Sequence, residues 1–321
     1  MADVEDPYNH SHRAFLQAFL AHSILTFEEL KPILAAILSV HDDREVLPND
    51  ITEPDVSTYL HTLNSKLAPV DYEIRPARSQ KDHSTSYVLV NLTSDAVTQL
   101  ATTHSPDEIA FVKRVLDAMF ETHNTRNHEV MAITRMQARH LSKAPRTSIA
   151  NEDGGTQTQS VAAQGLTLPQ AEKMLDDMVE EGWFENSAAG YYSLSARALA
   201  ELRDWLRETY NEMPGEGDED ETVIRIRNCE ACTEIVTIGQ RCSNHACACR
   251  LHDICTQRLF RSQAANARRC PKCKEEWTGK DFVGEKAAKR NGGSRQHGST
   301  ASSRQVTQNG ARRDSSEDDG E

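Results

Sequence analysis

The stretch CEACTEIVTIGQRCSNHACACRLHDICTQRLFRSQAANARRCPKC, Cys229 to Cys273, contains all eight cysteines of the 321-residue chain. Tight Cys-x-x-Cys pairs, Cys229/Cys232 and Cys270/Cys273, close its two ends. Cys242, Cys247, Cys249, His252 and Cys255 lie between them. Thiolates and imidazoles at such spacing are the donors zinc prefers, and a centre holding four protein ligands keeps no position open for catalysis. The competing reading, unpaired or redox cysteines, does not account for four ligand pairs in so short a span. Two Zn2+ ions per chain are therefore expected.

Pairs one and three share a metal in a cross-brace, as do pairs two and four. Cys229, Cys232, His252 and Cys255 are then expected to hold the first zinc. Cys242, Cys247, Cys270 and Cys273 are expected to hold the second. Cys249 is the alternative to Cys247, and His245 is a further candidate. Cys247 is preferred because Cys249 stretches the second pair to six intervening residues. The segment is too small for a substantial apolar core, so metal binding is expected to supply much of its folding energy. The C4HC3 order with four residues between Cys247 and His252 suits either a RING or a PHD finger, a reader of histone tails. A PHD finger usually has Trp two residues before its seventh ligand, where this chain has Arg268, and the Cys270-Pro271-x-Cys273 corner is typical of RINGs. These side chains favour the RING.

Upstream, the hydrophobic pattern runs helix, helix, helix, hairpin, and does so twice. His12–His22, a helix opening at Thr26 with Glu29 closing a capping box, and Glu53–Leu67 are amphipathic at helical spacing. Pro32 is placed in a first turn, where proline is tolerated. VDYEIR (70–75) and SYVLVNL (86–92) read as strands around a polar turn. The second set begins at Ser105-Pro106 and continues through NHEVMAITRMQARHL. A third helix runs over 166–185, a wing follows, and a closing helix spans 196–210. Leu175, Met178, Val179, Trp183 and Phe184 read as the core between that third helix and its wing. The expected fold is α+β multidomain: winged-helix domain A (1–102), winged-helix domain B (103–212) with a flexible insertion at 142–165, an acidic linker (213–224), a RING-type zinc domain (225–283) and a disordered tail (284–321).

Winged helices often read DNA with the third helix, which then needs cations and amides facing the groove. Domain B instead offers Glu172, Asp176, Asp177, Glu180 and Glu181 against Lys173, and domain A offers Glu53 and Asp55 against Lys66. Protein docking is the favoured role for both. The net charge of −13 also opposes strong nucleic-acid binding by the whole chain. No apolar run approaches a membrane span, and the acidic start MADVEDPYNHSHR lacks an apolar signal core, so an intracellular protein with no membrane partner is expected. A reducing compartment disfavours disulfides. No nucleophile elbow, phosphate loop or HExxH motif occurs, and the scattered histidines outside the zinc segment lack ligand spacing.

This order of units resembles the family of non-SMC element 1, the RING subunit of the SMC five/six chromosome-maintenance complex. The resemblance reaches to about Val283 and is carried by HRAFLQAFLAHSILT, YVLVNL, LRETY and GQRC…RLHDIC…RRCPKC. It implies a nuclear protein that pairs through its winged helices with a MAGE-domain subunit (non-SMC element 3), joins the kleisin subunit (non-SMC element 4), and reaches chromatin and DNA mainly through the complex. It also implies RING-type E3 ubiquitin transferase activity in DNA repair, stimulated by the MAGE partner. A RING ligase carries no catalytic nucleophile and works by positioning a ubiquitin-loaded conjugating enzyme (E2). The expected E2-contact residues are Ala231, Leu259 or Phe260, Pro271 and Lys274. Ala231 departs from the Ile or Leu common in ligases. The other readings are a non-catalytic structural subunit whose zinc domain only docks partners and a PHD-like histone-tail reader.

Overall fold

In domain A the side chain of Asn9 caps α1 (His10–His22), accepting from the backbone N–H of Ser11 and His12. β1 (Ile24–Thr26) leads into α2 (Phe27–His41), where Thr26 and Glu29 bond reciprocally as expected. Pro32 lies one turn deeper than the first-turn position expected. The helix runs on through it, lacking the hydrogen bond that proline cannot donate. α3 (Glu53–Leu67) follows, then β2 (Tyr72–Arg78) and β3 (Thr85–Asn91), in a sheet ordered β1-β3-β2. Pro76 sits inside β2, opposite Tyr87, and is tolerated because β2 is an edge strand. Phe15, Phe19, Leu30, Leu34, Val56, Leu63 and Ile74 form the core. The computed structural model describes residues 8–82, 84–92, 103–143, 165–212, 223–264 and 267–292.

Domain B repeats the plan with α4 (Pro106–Asp117), β4 (Ile133–Thr134), α5 (Arg135–His140), α6 (Leu168–Glu180), β5 (Phe184–Asn186) and β6 (Tyr191–Leu194), its sheet ordered β4-β6-β5. The two sheets thus share one topology, with the short first strand against the last. The expected third helix ends at Glu180, and Phe184 belongs to the wing. Leu175, Met178, Trp183 and Phe184 are buried as that reading requires, and Val179 packs on their edge. The acidic face of α6 is partly neutralised from within: Arg135 meets Asp176 at 2.6 Å and Arg139 meets Glu172 at 3.2 Å.

The closing helix is two helices, α7 (Ala196–Glu201) and α8 (Arg203–Tyr210), parted at Leu202, whose φ of −86° and ψ of 0° leave the helical region. α7 ties the domains together: its Ala200 packs on Ala77, Val88 and Val90 of the first wing. Most of the expected insertion and of the linker lies outside the described residues, but their ends are fixed. Leu166 donates to the Ser142 carbonyl at 2.8 Å, and β7 (Asn211–Glu212) pairs with β8 (Val223–Ile224) on either side of the linker. The tail expected from residue 284 needs a correction. Phe282–Val283 (β11) is followed by α10 (Glu285–Gly292), whose Ala287 is buried, so packing continues past Val283; residues 293–321 lie outside the described set.

The zinc domain does not hang from the linker. Its β9 (Gly239–Arg241) runs between β10 (Arg250–Leu251) and β11, with α9 (Asp253–Leu259) following, and its apolar residues join those of domain B in one continuous core. Glu129, in the segment before β4, enters this junction. Its carboxylate takes two guanidinium N–H groups from Arg250, one at 2.6 Å, and lies 3.1 Å from Arg241 Nη1. All three side chains are at least nine-tenths buried. Gly284 N–H donates to the Glu129 carbonyl at 2.8 Å, and Arg241 Nη1 to the Arg126 carbonyl at 2.7 Å. Domain A reaches the zinc domain through its wing tip. Gln80 Oε1 accepts from the N–H groups of Thr237 and Ile238 at 3.0 and 2.9 Å, and Gln80 Nε2 donates to Thr237 Oγ1.

Removing one partner of a buried ion pair costs far more than the pair contributes, because a bare charge is left in a dry site. Glu129→Gln strands two arginines at once. It is expected to destabilise the zinc-loaded chain by about 3–5 kcal/mol in urea unfolding; a loss below about 1 kcal/mol, the scale of a surface pair, would show that water reaches the junction.

Candidate metal centres

The two Cys-x-x-Cys pairs adopt the same hairpin. In the first, Cys229 N–H donates to the Glu234 carbonyl at 2.8 Å and Thr233 N–H to the Cys229 carbonyl at 2.9 Å. In the second, Cys270 N–H donates to Glu275 at 2.8 Å and Lys274 N–H to Cys270 at 3.1 Å. The residue after each pair, Thr233 or Lys274, takes a positive φ of 63° or 65°. Neither is a glycine, so each turn accepts strain to swing both thiols to one side.

The side chains gather in two groups of four: Cys229, Cys232, His252 and Cys255, then Cys242, Cys247, Cys270 and Cys273. Within each group the donor atoms lie within 4.8 Å of one another. Four sulfurs at the usual ~2.3 Å from a central zinc stand about 3.8 Å apart. Cys247 Sγ and Cys270 Sγ are 3.8 Å apart, and Cys242 Sγ and Cys273 Sγ 3.5 Å. In the mixed group His252 Nδ1 lies 3.3 Å from Cys232 Sγ and 3.9 Å from Cys255 Sγ. His252 Nε2 faces the Ile235 carbonyl at 3.1 Å. A carbonyl can only accept, so Nε2 carries the proton and Nδ1 turns its lone pair to the thiols, the outer-sphere support typical of zinc histidines. No two cysteines are joined by a disulfide. Burial, then the charges of Cys229 and Cys232, pushes the Cys255 thiol up to about 12. Against the same push of burial, the N–H groups of Cys273 and Lys272 bring Cys270 down to about 7. Thiols so crowded need a cation to ionise together. Two sets of four ligands in this arrangement are consistent with two zinc ions.

Cys249 stands outside both groups. It is buried, and its backbone does the work: the carbonyl accepts from Cys242 N–H at 3.2 Å and from Arg250 Nη1 at 2.8 Å, while its N–H points at Cys247 Sγ. Cys247, which does join the second group, sits on a turn where its N–H donates to the Asn244 carbonyl at 2.9 Å. His245 is exposed on that turn and joins neither group. Gly239 has a steric cause. A Cβ built there meets the Leu251 carbonyl oxygen, because β9 pairs antiparallel with β10 just before His252.

Of the expected E2-contact residues, Ala231, Pro271 and Lys274 are exposed, and Leu259 is 40% exposed at the end of α9. Phe260 is not available for contact. It is buried with its ring 5.7 Å from that of Trp277, so of the alternatives Leu259 and Phe260 the second belongs to the core and only Leu259 is exposed. Lys272 Nζ reaches Glu230 at 2.9 Å, which sets the two hairpin tips side by side. Lys274 Nζ bonds the Pro271 carbonyl at 2.8 Å. Sequence reasoning missed Gln80 and the Glu129–Arg250–Arg241 cluster. Single polar or charged residues carry no periodic signal that would mark them as partners across domains.

Residues 12–202 match the model of the family described as Nse1 non-SMC component of SMC5-6 complex, and residues 229–273 that of a RING-like domain. The chain is 24% identical over 266 residues to the non-structural maintenance of chromosomes element 1 homolog of Homo sapiens, covering 83% of each. Its similarity to element 1 of Schizosaccharomyces pombe is 23% identity over 229 residues, 71% of this chain and 80% of that one. A chain of a solved Nse1-Nse3-Nse4 complex superposes with a TM-score of 0.63 at 21% identity, covering 84% of this chain and 97% of the other.

Native mass spectrometry of the full chain is expected to find two zinc ions. Cys247→Ser should lose one of them and Cys249→Ser should keep both. Retention of both ions by Cys247→Ser, with loss in Cys249→Ser, would reverse the ligand assignment.

Proposed function

The chain belongs to the Nse1 family of non-SMC components of the SMC5-6 complex, and from that membership we propose that it is a RING-type E3 ubiquitin ligase subunit of the complex. In this reading Cys229, Cys232, His252 and Cys255 hold one zinc and Cys242, Cys247, Cys270 and Cys273 the other. Both ions are structural: each fixes a hairpin, and neither keeps a position for substrate. The chain supplies no nucleophile. It holds a ubiquitin-loaded E2 so that the thioester meets an incoming lysine in reactive geometry.

The observation that carries this reading is the surface over the two hairpin tips. Ala231 and Pro271 are exposed there, each next in sequence to a member of the Glu230–Lys272 pair, and Leu259 is exposed at the end of α9. Such small apolar groups on a rigid platform suit a short apolar loop of an E2. Lys274 is assigned the bridge between E2 and ubiquitin, for which its ammonium must leave the Pro271 carbonyl. Ala231 lacks the apolar bulk common at that place, a deficit of about 1.5–3 kcal/mol of contact. Weak transfer by the isolated chain follows, with a partner needed to make up the difference.

The solved neighbour comes from a complex with Nse3 and Nse4, and we assign the same partners here: a MAGE-domain Nse3 on the winged helices and the kleisin Nse4, joined to the SMC5-6 complex. The acidic α6, with part of its charge already paired by Arg135 and Arg139, suits a protein partner better than a DNA groove. In the same reading the chain acts in the nucleus, in DNA repair and chromosome maintenance, with DNA reached through the complex. Among the described residues no helix is long and apolar enough to cross a membrane.

A second reading is favoured by one observation, the core shared by the zinc domain and domain B. It makes the zinc domain a structural buttress. Reconstitution with Nse3, E1, ubiquitin and a panel of E2 enzymes separates the two. Chains are expected with at least one E2, reduced at least tenfold by Pro271→Ala and raised by Ala231→Ile, with zinc content and Nse3 binding unchanged. No chains with any E2 would leave the buttress reading.

A further inference from the structure

Between domain B and the zinc domain lies a cavity of about 420 Å³, a volume in the range of ligand sites. Five arginines line it (Arg126, Arg225, Arg227, Arg241 and Arg250) against two carboxylates, Glu121 and Glu129. This is a concentration of positive charge in a chain whose net charge is −13. Glu129 is already committed, bonded by Arg250 and in contact with Arg241. Arg250 has four of its five N–H donors bonded, two to Glu129 and two to the carbonyls of Cys247 and Cys249. Arg241 is less completely bonded. Its two terminal nitrogens reach the carbonyls of Arg126 and His245, but its buried Nε–H has no acceptor among the described residues. A buried N–H without a partner is rare, and neighbouring charge does not relieve it, because the bond needs an acceptor in line with the N–H. Arg227 stands half-buried on the same wall.

We propose that this cavity is an oxyanion site that takes the phosphate of a phosphorylated serine or threonine side chain on a peptide. A tetrahedral dianion presents several acceptor oxygens, enough for the Arg241 Nε–H and the Arg227 guanidinium together, and guanidinium groups bind phosphate through paired N–H bonds. The shape selects the source. Duplex phosphates lie along a ridge and need an extended basic stripe, whereas this charge lines a concave pocket. A phosphate on a short flexible side chain can enter it. At the rim, Val223 and Ile224 of β8 are 36% and 41% exposed and offer apolar contact to flanking peptide residues. The site is independent of ubiquitin transfer, since none of the expected E2-contact residues lines it.

The test titrates the zinc-loaded full chain by calorimetry with the peptide acetyl-Ala-Val-phosphoSer-Val-Ala-amide, its unphosphorylated form and a short duplex DNA. Saturable binding of the phosphopeptide alone is expected, weakened at least tenfold by Arg227→Gln and less by Arg227→Lys. Arg227→Gln should keep two zinc ions and its melting temperature without ligand, which separates loss of the site from loss of fold. Equal binding of both peptides, or phosphopeptide binding unchanged in Arg227→Gln, would overturn the proposal. Duplex DNA displacing the phosphopeptide, and itself weakened by Arg227→Gln, would assign the cavity to nucleic acid and overturn the peptide reading.

Discussion

Interleaving two four-ligand centres along one short segment is the constraint from which the rest of the architecture follows. Each centre joins residues on both sides of a ligand of the other, which couples the folding of the two. The segment has too little apolar surface to fix β9 and β10 alone, and metal binding supplies what burial lacks. Once these strands are fixed, Arg241 and Arg250 project toward domain B. There Glu129 meets them, all three side chains at least nine-tenths buried. The metal centres thus act at a distance, by holding two guanidinium groups where one carboxylate can satisfy them.

That junction changes how the chain divides. Composition suggests independent units strung on an acidic linker, but the apolar residues of domain B and the zinc domain form a single cluster. The wing of domain A adds a third contact through Gln80, whose one amide group bonds Thr237 and Ile238 in three places. A platform held from two sides loses little entropy when a partner binds, and preorganisation of this kind suits a protein whose proposed work is positioning. It also leaves Ala231 and Pro271 exposed on the hairpin tips and Leu259 exposed at the end of α9.

The same economy of charge explains both the stability and the cavity. A buried cation is tolerated when carboxylates and carbonyls answer its donors, and Arg250 has four of its five N–H groups bonded within the chain. Arg241 is answered less completely. Glu129 is shared between them, so the arginines in the wall outnumber the acids that face them.

Much of this was legible in the residues themselves. Ligand type and spacing are local properties, so the cross-braced zinc segment could be read from Cys229 to Cys273 without a structure. The two helix-helix-helix-hairpin runs were visible through the periodicity of α1, α3 and α6 and through the boxes at Thr26 and Ser105. β1 and β4 were not, because two or three residues carry no period; nor was the break at Leu202, where the amphipathic pattern continues across the change of direction. The choice of Cys247 over Cys249 follows from which of the two thiols joins the second group. Which of Leu259 and Phe260 faces outward follows from packing on Trp277. The sequence by itself determined which atoms can bind metal and which faces are apolar, because these depend on residue type and short spacing. Only the tertiary structure decided that Glu129 answers Arg250 and Arg241 across more than a hundred residues, because a charge shows its partner only after folding has taken water away from both.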